Sequence, residues 1–322
     1  MKISVIIPTY NRAHYLKLAI DSFLSQSFDP CSYEIIVADN NSSDSTRELL
    51  ERYSADHPGK VKYIREPRQG VHFARNSGAK IAAGDILYFA DEDVIADKDL
   101  LREIVKIFDY DPKIASATGR VLPRWESEPP KWVRKIFYNC LLSINDPPEE
   151  LIISNDDCNV FSCHQAVSRE AFFKSGGFNP ENTAYTRWMG DGETGLNIKI
   201  KDLGYRFGFI GTSKLYHIIP SYKMTQAYAN RRLANQGSSD SYTQYRKHNY
   251  SKRQLAGQIP KHLIMMAISE IRCALNMIRR DASWHLHHAY LFYYLNRIKY
   301  DYKLLSDGSW REFVKKNNWL SE

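Results

Sequence analysis

One feature constrains the fold of this chain more than any other. Over its first 93 residues, apolar runs of strand length alternate with segments of helical period. Ile3-Ser4-Val5-Ile6-Ile7 reads as a buried strand closed by Pro8. Asn11 is placed to cap a helix whose apolar positions Leu16, Ala19, Ile20, Phe23 and Leu24 follow the spacing of one helical face. Glu34–Ala38 forms a second strand ending at Asp39, followed by the polar run Asn40–Asp44 and a helix carrying Leu49, Leu50 and Tyr53. Val61–Ile64 is a third short strand. Gly70 opens a helix through Ala74, Gly78 and Ile81 that Gly84 stops. Asp85–Ala90 is a fourth strand, ending at Asp91-Glu92-Asp93. This alternation specifies an α/β fold with a mainly parallel sheet and helices on both faces. Ligands of such sheets bind beyond the carboxyl ends of the strands, so Pro8–Asn11, Asp39–Asp44 and Asp91–Asp93 are the segments to examine.

Further along, the pattern loosens. Residues 120–160 hold Pro129-Pro130, Pro147-Pro148 and the aromatics Trp125, Trp132, Phe137 and Tyr138, which read as a loop-rich cover over the site. After about residue 222 strand signals fade. Leu263, Ala267, Ile271 and Leu275 recur at helical spacing, and 289–302 is crowded with Tyr, Phe and Leu. The 322 residues therefore divide into a body, 1–222, and a helical extension, 223–322.

Charge follows nearly the same division. Residues 1–221 carry 27 Lys and Arg against 30 Asp and Glu, whereas 222–322 carry 17 against 7. A basic, aromatic tail suits an anionic membrane face, because its side chains lay apolar bodies on the interface and keep polar tips in water. The alternative is that these helices pack on the body or pair two copies as a homodimer. Nucleic acid is set aside, since no reader motif is present. No apolar run approaches the ~18–20 residues of a membrane span. The opening run, broken by Pro8, does not read as a secretory signal. The expectation is a cytoplasmic protein, peripheral on the inner face of the plasma membrane. The five cysteines are scattered with no Cys-x-x-Cys pair, so neither a zinc site nor a disulfide framework is expected.

Four constellations carry chemistry. In Asp91-Glu92-Asp93 the first and third carboxylates can point to one side, where a hard divalent cation leaves open positions for phosphate oxygens. Asp39, at a strand end, can accept hydrogen bonds from a base or a ribose; Ser43 and Asp44 are better placed to cap the next helix. Arg75 can pair with a diphosphate or lie idle on the surface. Gly190-Asp191-Gly192-Glu193 sets two carboxylates at a helix start, where one can serve as a general base and either can act as a cap.

Ser4-Val5-Ile6-Ile7-Pro8-Thr9-Tyr10-Asn11-Arg12 resembles the opening of family 2 glycosyltransferases with the GT-A fold. Ile35–Asn40, Ala74-Arg75-Asn76-Ser77-Gly78, Ala83–Asp93, and Ser168–Phe172 leading to Gly176-Gly177-Phe178 follow in the family's order, and the likeness covers about residues 1–220. The resemblance implies that Pro8, Tyr10, Arg12, Asp39 and Asp91 hold the nucleoside of a sugar nucleotide, with Arg75 near its pyrophosphate. Thr9, Asn41 and Glu92, in the same strand-end segments, are grouped with this donor site. Asp93 would bind Mn or Mg, with Asp91 beside it. His217 would be a further metal or phosphate ligand, or a structural histidine. The family's acidic pair before the acceptor-side helix falls on Gly192-Glu193, which makes Glu193 the base and Asp191 the reserve candidate. Where the family often has Gly-x-Asn, this chain has Ser162-Cys163-His164.

The implied activity is an inverting, metal-dependent transfer from a nucleoside-diphosphate sugar, with uracil the family's common base, to a hydroxyl of a saccharide or lipid-linked acceptor, in bacterial surface polysaccharide synthesis. Gly192 in place of an acid motivates a second reading, a catalytically impaired sugar-nucleotide-binding protein. Nucleotidyl transfer ranks last, because Pro8-Thr9-Tyr10-Asn11 is not a glycine-rich phosphate loop.

Overall fold

The structure, a computed structural model, describes residues 2–136, 140–180 and 190–321; Phe137 and Tyr138 of the expected cover lie outside these ranges. Strands β1 (Ile3–Thr9), β2 (Tyr33–Asp39), β3 (Val61–Arg65) and β4 (Ile86–Ala90) pair in parallel in the order β3-β2-β1-β4. Helices α1 (Ala13–Leu24), α2 (Thr46–Asp56) and α3 (Val71–Ile81) connect them. All of β1 and β2 is buried, as strands covered on both faces must be. Val5, Ile7, Ile35 and Val37 face one cluster with α1 and α2, while Ile6 and Ile36 face another with Ala79 of α3.

Three local expectations change. β1 runs through Pro8 to Thr9. The Thr9 carbonyl accepts from the Asn40 amide, so Thr9 faces β2 and Pro8 faces the other way. On that side the pairing with β4 has already ended at Ile6, so no ladder bond needs the missing N–H. Asn11 does not cap α1; its side-chain oxygen accepts from the amides of Ser43 and Asp44, and Asp44 Oδ2 accepts from the Ala13 amide at 3.2 Å. Gly84 does not end α3, which stops at Ile81. A Cβ at Gly84 would lie 2.5 Å from the Ser4 amide nitrogen, so this glycine permits the close passage of chain beside β1.

The sheet continues beyond β4. β5 (Val94–Ala96), α4 (Leu100–Tyr110), β6 (Ile114–Trp125), α5 (Lys131–Ile136), β7 (Leu151–Ser154), β8 (His164–Ser168), α6 (Arg169–Lys174), α7 (Gly192–Asp202) and β9 (Arg206–Ile219) follow in sequence. The order runs on from β4 as β8-β6-β9-β5, with β7 against β9, and β8 is antiparallel to β4. The 120–160 stretch is therefore less loop-like than expected: its first residues complete β6, which pairs along its length with β9.

The extension is helical as read: α8 (Gln226–His248), α9 (Lys252–Ile278), α10 (Trp284–Ser306) and α11 (Gly308–Lys315). It is also rooted in the body. Met224, Ala229 and Leu233 share an apolar cluster with Val133, Leu141, Leu142 and Ile219. Beyond α11 the chain returns to the body, where the Trp319 amide donates to the Gly176 carbonyl at 3.0 Å. On α9 the buried positions are Leu255, His262, Ser269 and Cys273, whereas Leu263, Ile271 and Leu275 are 47%, 61% and 44% exposed. The apolar repeat seen in the sequence thus faces outward. Among the described residues no helix is long and apolar enough to cross a membrane.

Candidate active site

The strand ends meet where the parallel sheet predicts. β2, β1 and β4 are neighbours, so Asp39 and Asp91 are separated by two strand spacings, about 10 Å. Two cavities open at this edge. One, of about 300 Å³, is lined by Asp39, Ser42, Arg47, Leu50, Tyr63 and Arg65. The other, of about 380 Å³, takes in Arg12, Arg75, Asp91, Glu92, Asp93, Glu193 and His217. The Asn11-Arg12 turn ties the two regions together. Asn11, in a left-handed conformation at φ +53°, binds the Ser42–Asp44 loop. Arg12 Nη1 lies 3.1 Å from both Glu92 and Asp93.

The residues expected to hold the donor sort by exposure. Pro8 and Thr9 are buried within β1, and it is Tyr10, Asn11 and Arg12 that reach the surface. Asp39 is buried, and its Oδ1 accepts from the Ser42 amide at 2.9 Å. Asn41 sits beside it with its carbonyl taken by Arg65.

Arg75 and Asp91, both in the lining of the 380 Å³ cavity, pair with each other. Arg75 is buried, and its guanidinium pairs with the Asp91 carboxylate and lies 3.1 Å from His72 Nδ1. A guanidinium removed from water needs a counter-charge, and Asp91 supplies it. Asp91 and Asp93 line the same cavity, yet their carboxylates are held by different cations.

Asp93 has the densest surroundings. Its Oδ2 accepts from Lys223 Nζ at 2.8 Å and from Arg12 at 3.1 Å, and its Oδ1 lies 3.5 Å from His217 Nε2. Burial alone would raise its pKa, but His217 and Lys223 hold it well below the carboxylate range. Burial and the adjacent Asp93 charge push Glu92 the other way, against the pull of Arg12.

His217 contacts the Leu142 carbonyl at 2.8 Å through Nδ1, so Nδ1 carries the proton. Nε2 stands between the Lys223 ammonium at 3.2 Å and Asp93 Oδ1 at 3.5 Å. A carboxylate and an imidazole nitrogen thus converge on an ammonium. This donor set suits Mn or Mg, and the second imidazole nitrogen is anchored as metal-binding histidines require. Two protein donors are too few for a closed site, and no group of three or more acidic, His or Cys side chains placed to hold a metal occurs among the described residues.

At the start of α7, Gly192 has φ +47°, a backbone that disfavours the acid the family usually carries there. Asp191 is buried, and its carboxylate accepts from Asn179 at 2.7 Å and Thr243 at 3.4 Å, with Arg246 3.8 Å away. Burial raises its pKa, while Arg246 and Asn179 oppose the shift. These partners make Asp191 part of the joint between α7 and α8. Glu193 is half-buried, lines the larger cavity and accepts from Ser162 Oγ at 3.4 Å. His164 is fully buried against the Tyr88 hydroxyl at 2.8 Å, which makes it structural.

The sequence reading missed several lining residues. Lys223 lies just past β9, in the short turn Ser221–Met224, and nothing local marks it. Tyr222 accepts from Arg12 at 3.2 Å. Tyr228, Arg231, Arg232, Asn235, Gln236 and Ser239 line the cavity from one face of α8. Their spacing of three and four residues is the sequence signal for such a face. Tyr63 and Arg65, on β3, line the smaller cavity beside Asp39 and carry no motif that marks them.

The sequence profile of glycosyl transferase family 2 matches residues 4–176, more than half of the chain. This chain belongs to that family. An uncharacterized glycosyltransferase of Bacillus subtilis, YfnE, is 43% identical over 106 residues, 33% of this chain and 26% of the relative. The poly(ribitol-phosphate) beta-N-acetylglucosaminyltransferase TarS of Staphylococcus aureus is 29% identical over 191 residues, 52% of this chain and 33% of the relative. The chain spans only a quarter to a third of the length of these two proteins. The mannosyltransferase PcManGT of Pyrobaculum calidifontis, solved with GDP-Man and Mn2+, superposes with a TM-score of 0.63 at 20% identity, over 93% of this chain and 87% of that one. That likeness speaks to the fold, which is GT-A.

Proposed function

We propose that this chain is an inverting, divalent-metal-dependent glycosyltransferase. It moves a sugar from a nucleoside diphosphate, UDP first among them, to a hydroxyl of a saccharide or lipid-linked acceptor in surface polysaccharide assembly. One observation carries the reading: a single cavity is lined both by the charged cluster of Arg12, Asp93, His217 and Lys223 and by the carboxylate of Glu193. Asp39, with Tyr63 and Arg65, takes the nucleoside. Asp93 and His217 hold Mn or Mg, which when bound neutralises charge on the diphosphate. Arg12 and Lys223 orient the same diphosphate and stabilise it as it leaves. Glu193 accepts the proton of the acceptor hydroxyl as that oxygen attacks C1 of the sugar from the far side. The bond from C1 to the diphosphate oxygen breaks, its electron pair leaves with the diphosphate, and one displacement inverts the anomeric centre.

A panel of sugar nucleotides, with and without Mn2+, tests this by thermal shift, because a ligand that binds the native state raises the melting temperature. The expected result is a shift with one donor, larger with Mn2+, and transfer of that sugar to a glycan acceptor. Stabilisation without product across acceptors would leave a donor-binding protein of the same fold.

The outward apolar stripe of α9 favours an anionic bilayer as the surface on which the protein meets its acceptor. Leu263, Ile264, Ile271 and Leu275 are exposed on a helix that also carries exposed Lys261 and Arg272, with exposed Arg279 and Arg280 just past its end. Apolar area plus basic charge is the pattern of an interfacial helix. Flotation with phosphatidylglycerol vesicles but not phosphatidylcholine vesicles is the expected outcome; dimer formation without flotation would replace the bilayer with a second copy.

A further inference from the structure

The contacts of Asp93 raise a question about how a divalent ion reaches its site. Lys223 Nζ sits 2.8 Å from Asp93 Oδ2 and 3.2 Å from His217 Nε2, in the place where those two donors converge. Its side chain is only 9% exposed, and that of Asp93 only 6%. A lysine ammonium is a compact charge of the kind a small cation presents. A buried carboxylate without a counter-charge is costly, and Lys223, far more buried than the 35% exposed Arg12 that also reaches Oδ2, supplies most of that charge within the pocket.

The geometry points to Lys223 as a tethered counter-ion that holds the Asp93–His217 site until a metal–diphosphate arrives. This rests on the reading of Asp93 and His217 as metal donors. Two protein donors give a divalent ion little hold by themselves, since such ions take most of their ligands from phosphate and water. Free metal must therefore evict an ammonium for two bonds. Metal carried on a diphosphate brings its own oxygens and also offers the displaced ammonium a new anionic partner. Lys223 follows β9 within the turn Ser221–Met224, and Tyr222 beside it touches Arg12, so displacement of the lysine is coupled to the diphosphate-facing arginine. The device excludes unproductive metal and makes metal entry depend on the donor, a coupling that is reciprocal by linkage.

The experiment measures Mn2+ binding to the full chain by calorimetry and by electron paramagnetic resonance of the free ion, without and with UDP or GDP. Wild type should take up Mn2+ alone weakly. Lys223→Met and Lys223→Gln should bind Mn2+ alone about tenfold tighter or more, because the competing charge is gone. Adding the diphosphate should raise Mn2+ affinity far more in wild type than in either variant. Placing His217→Ala in the Lys223→Gln background should abolish the gain, which ties it to this site rather than to loosened structure; circular dichroism checks that each variant is folded. Equal Mn2+ affinity of wild type and both variants without nucleotide overturns the proposal, as does a gain that survives His217→Ala. Either failure with glycosyl transfer intact leaves the proposed activity standing, whereas absence of transfer with every donor strikes the activity itself.

Discussion

The two sides of the cleft are built by different rules. The proposed donor side comes from β1, β2 and β4 and their following loops, all within the first 93 residues, and its acidic residues sit where parallel strands end. The other side is gathered from the start of α7, the turn after β9 and one face of α8, elements more than 90 residues further along. Local pattern places the first side. Only tertiary packing creates the second, because the apolar cluster of Met224, Ala229 and Leu233 with Ile219 and Leu142 lays α8 over the cavity. Chemistry needs both sides, so variants that separate them are the informative ones.

The largest expected effect is on the far side. Glu193→Gln removes the proposed general base without changing shape, so turnover should fall by about 10²–10⁴-fold while sugar-nucleotide affinity is kept. Asp191→Asn, whose carboxylate is engaged by Asn179, Thr243 and Arg246, should act mainly on stability. Steady-state kinetics with a donor titration distinguish them. If Asp191→Asn loses turnover and Glu193→Gln does not, the roles are reversed.

The first side was largely legible from sequence for a physical reason. Fully buried parallel strands must be apolar throughout, so Ile3–Ile7 and Ile35–Ala38 announce themselves, and strand ends locate Asp39 and Asp91–Asp93. Partners of those acids were not legible. The sequence leaves Arg75 either on the surface or near a phosphate, and only the fold shows that α3 buries it against Asp91. Lys223 lies 130 residues from Asp93 and carries no motif. Pairing between side chains so far apart in sequence is set by the fold, which a period of 2 or 3.6 residues does not encode.

Breaking the Arg75–Asp91 pair tests whether the donor side depends on it. Arg75→Met leaves Asp91, its side chain 29% exposed, without its cation and should cost about 3 kcal/mol in urea unfolding. Adding Asp91→Asn should recover a good part of that loss. A single variant as stable as wild type would show that the pair is a surface contact with little weight.

His164, between β4 and β6, gives a smaller effect that depends on pH. Burial lowers its pKa from the ordinary 6.5 to about 4, so the native state keeps it neutral. As pH falls below 6.5 the unfolded chain takes up a proton that the folded chain refuses, so stability declines towards pH 4, by up to about 1.4 kcal/mol per unit. Above 6.5 the contribution is complete. Melting temperatures of wild type and His164→Gln, compared from about pH 7 down to about pH 5, isolate this group before most carboxylates titrate. Parallel curves for the two proteins would mean that His164 protonates in the folded state.

The smallest effect on stability belongs to the outward face of α9, and there its smallness is the point. Ile271 is 61% exposed, so Ile271→Ser should change unfolding free energy by no more than about 0.5 kcal/mol. Leu304 of α10, fully buried in the cluster with Tyr245 and Trp310, should cost about 2–5 kcal/mol as Leu304→Ala. The pair separates the two roles of the extension: α10 holds the fold, and the α9 stripe is free to meet another surface. Ile264→Ser with Ile271→Ser should keep the melting temperature and donor turnover in solution yet abolish flotation with phosphatidylglycerol vesicles. Loss of stability in that double variant would place the stripe in a packing role after all, and unchanged flotation would leave the basic residues alone to account for binding.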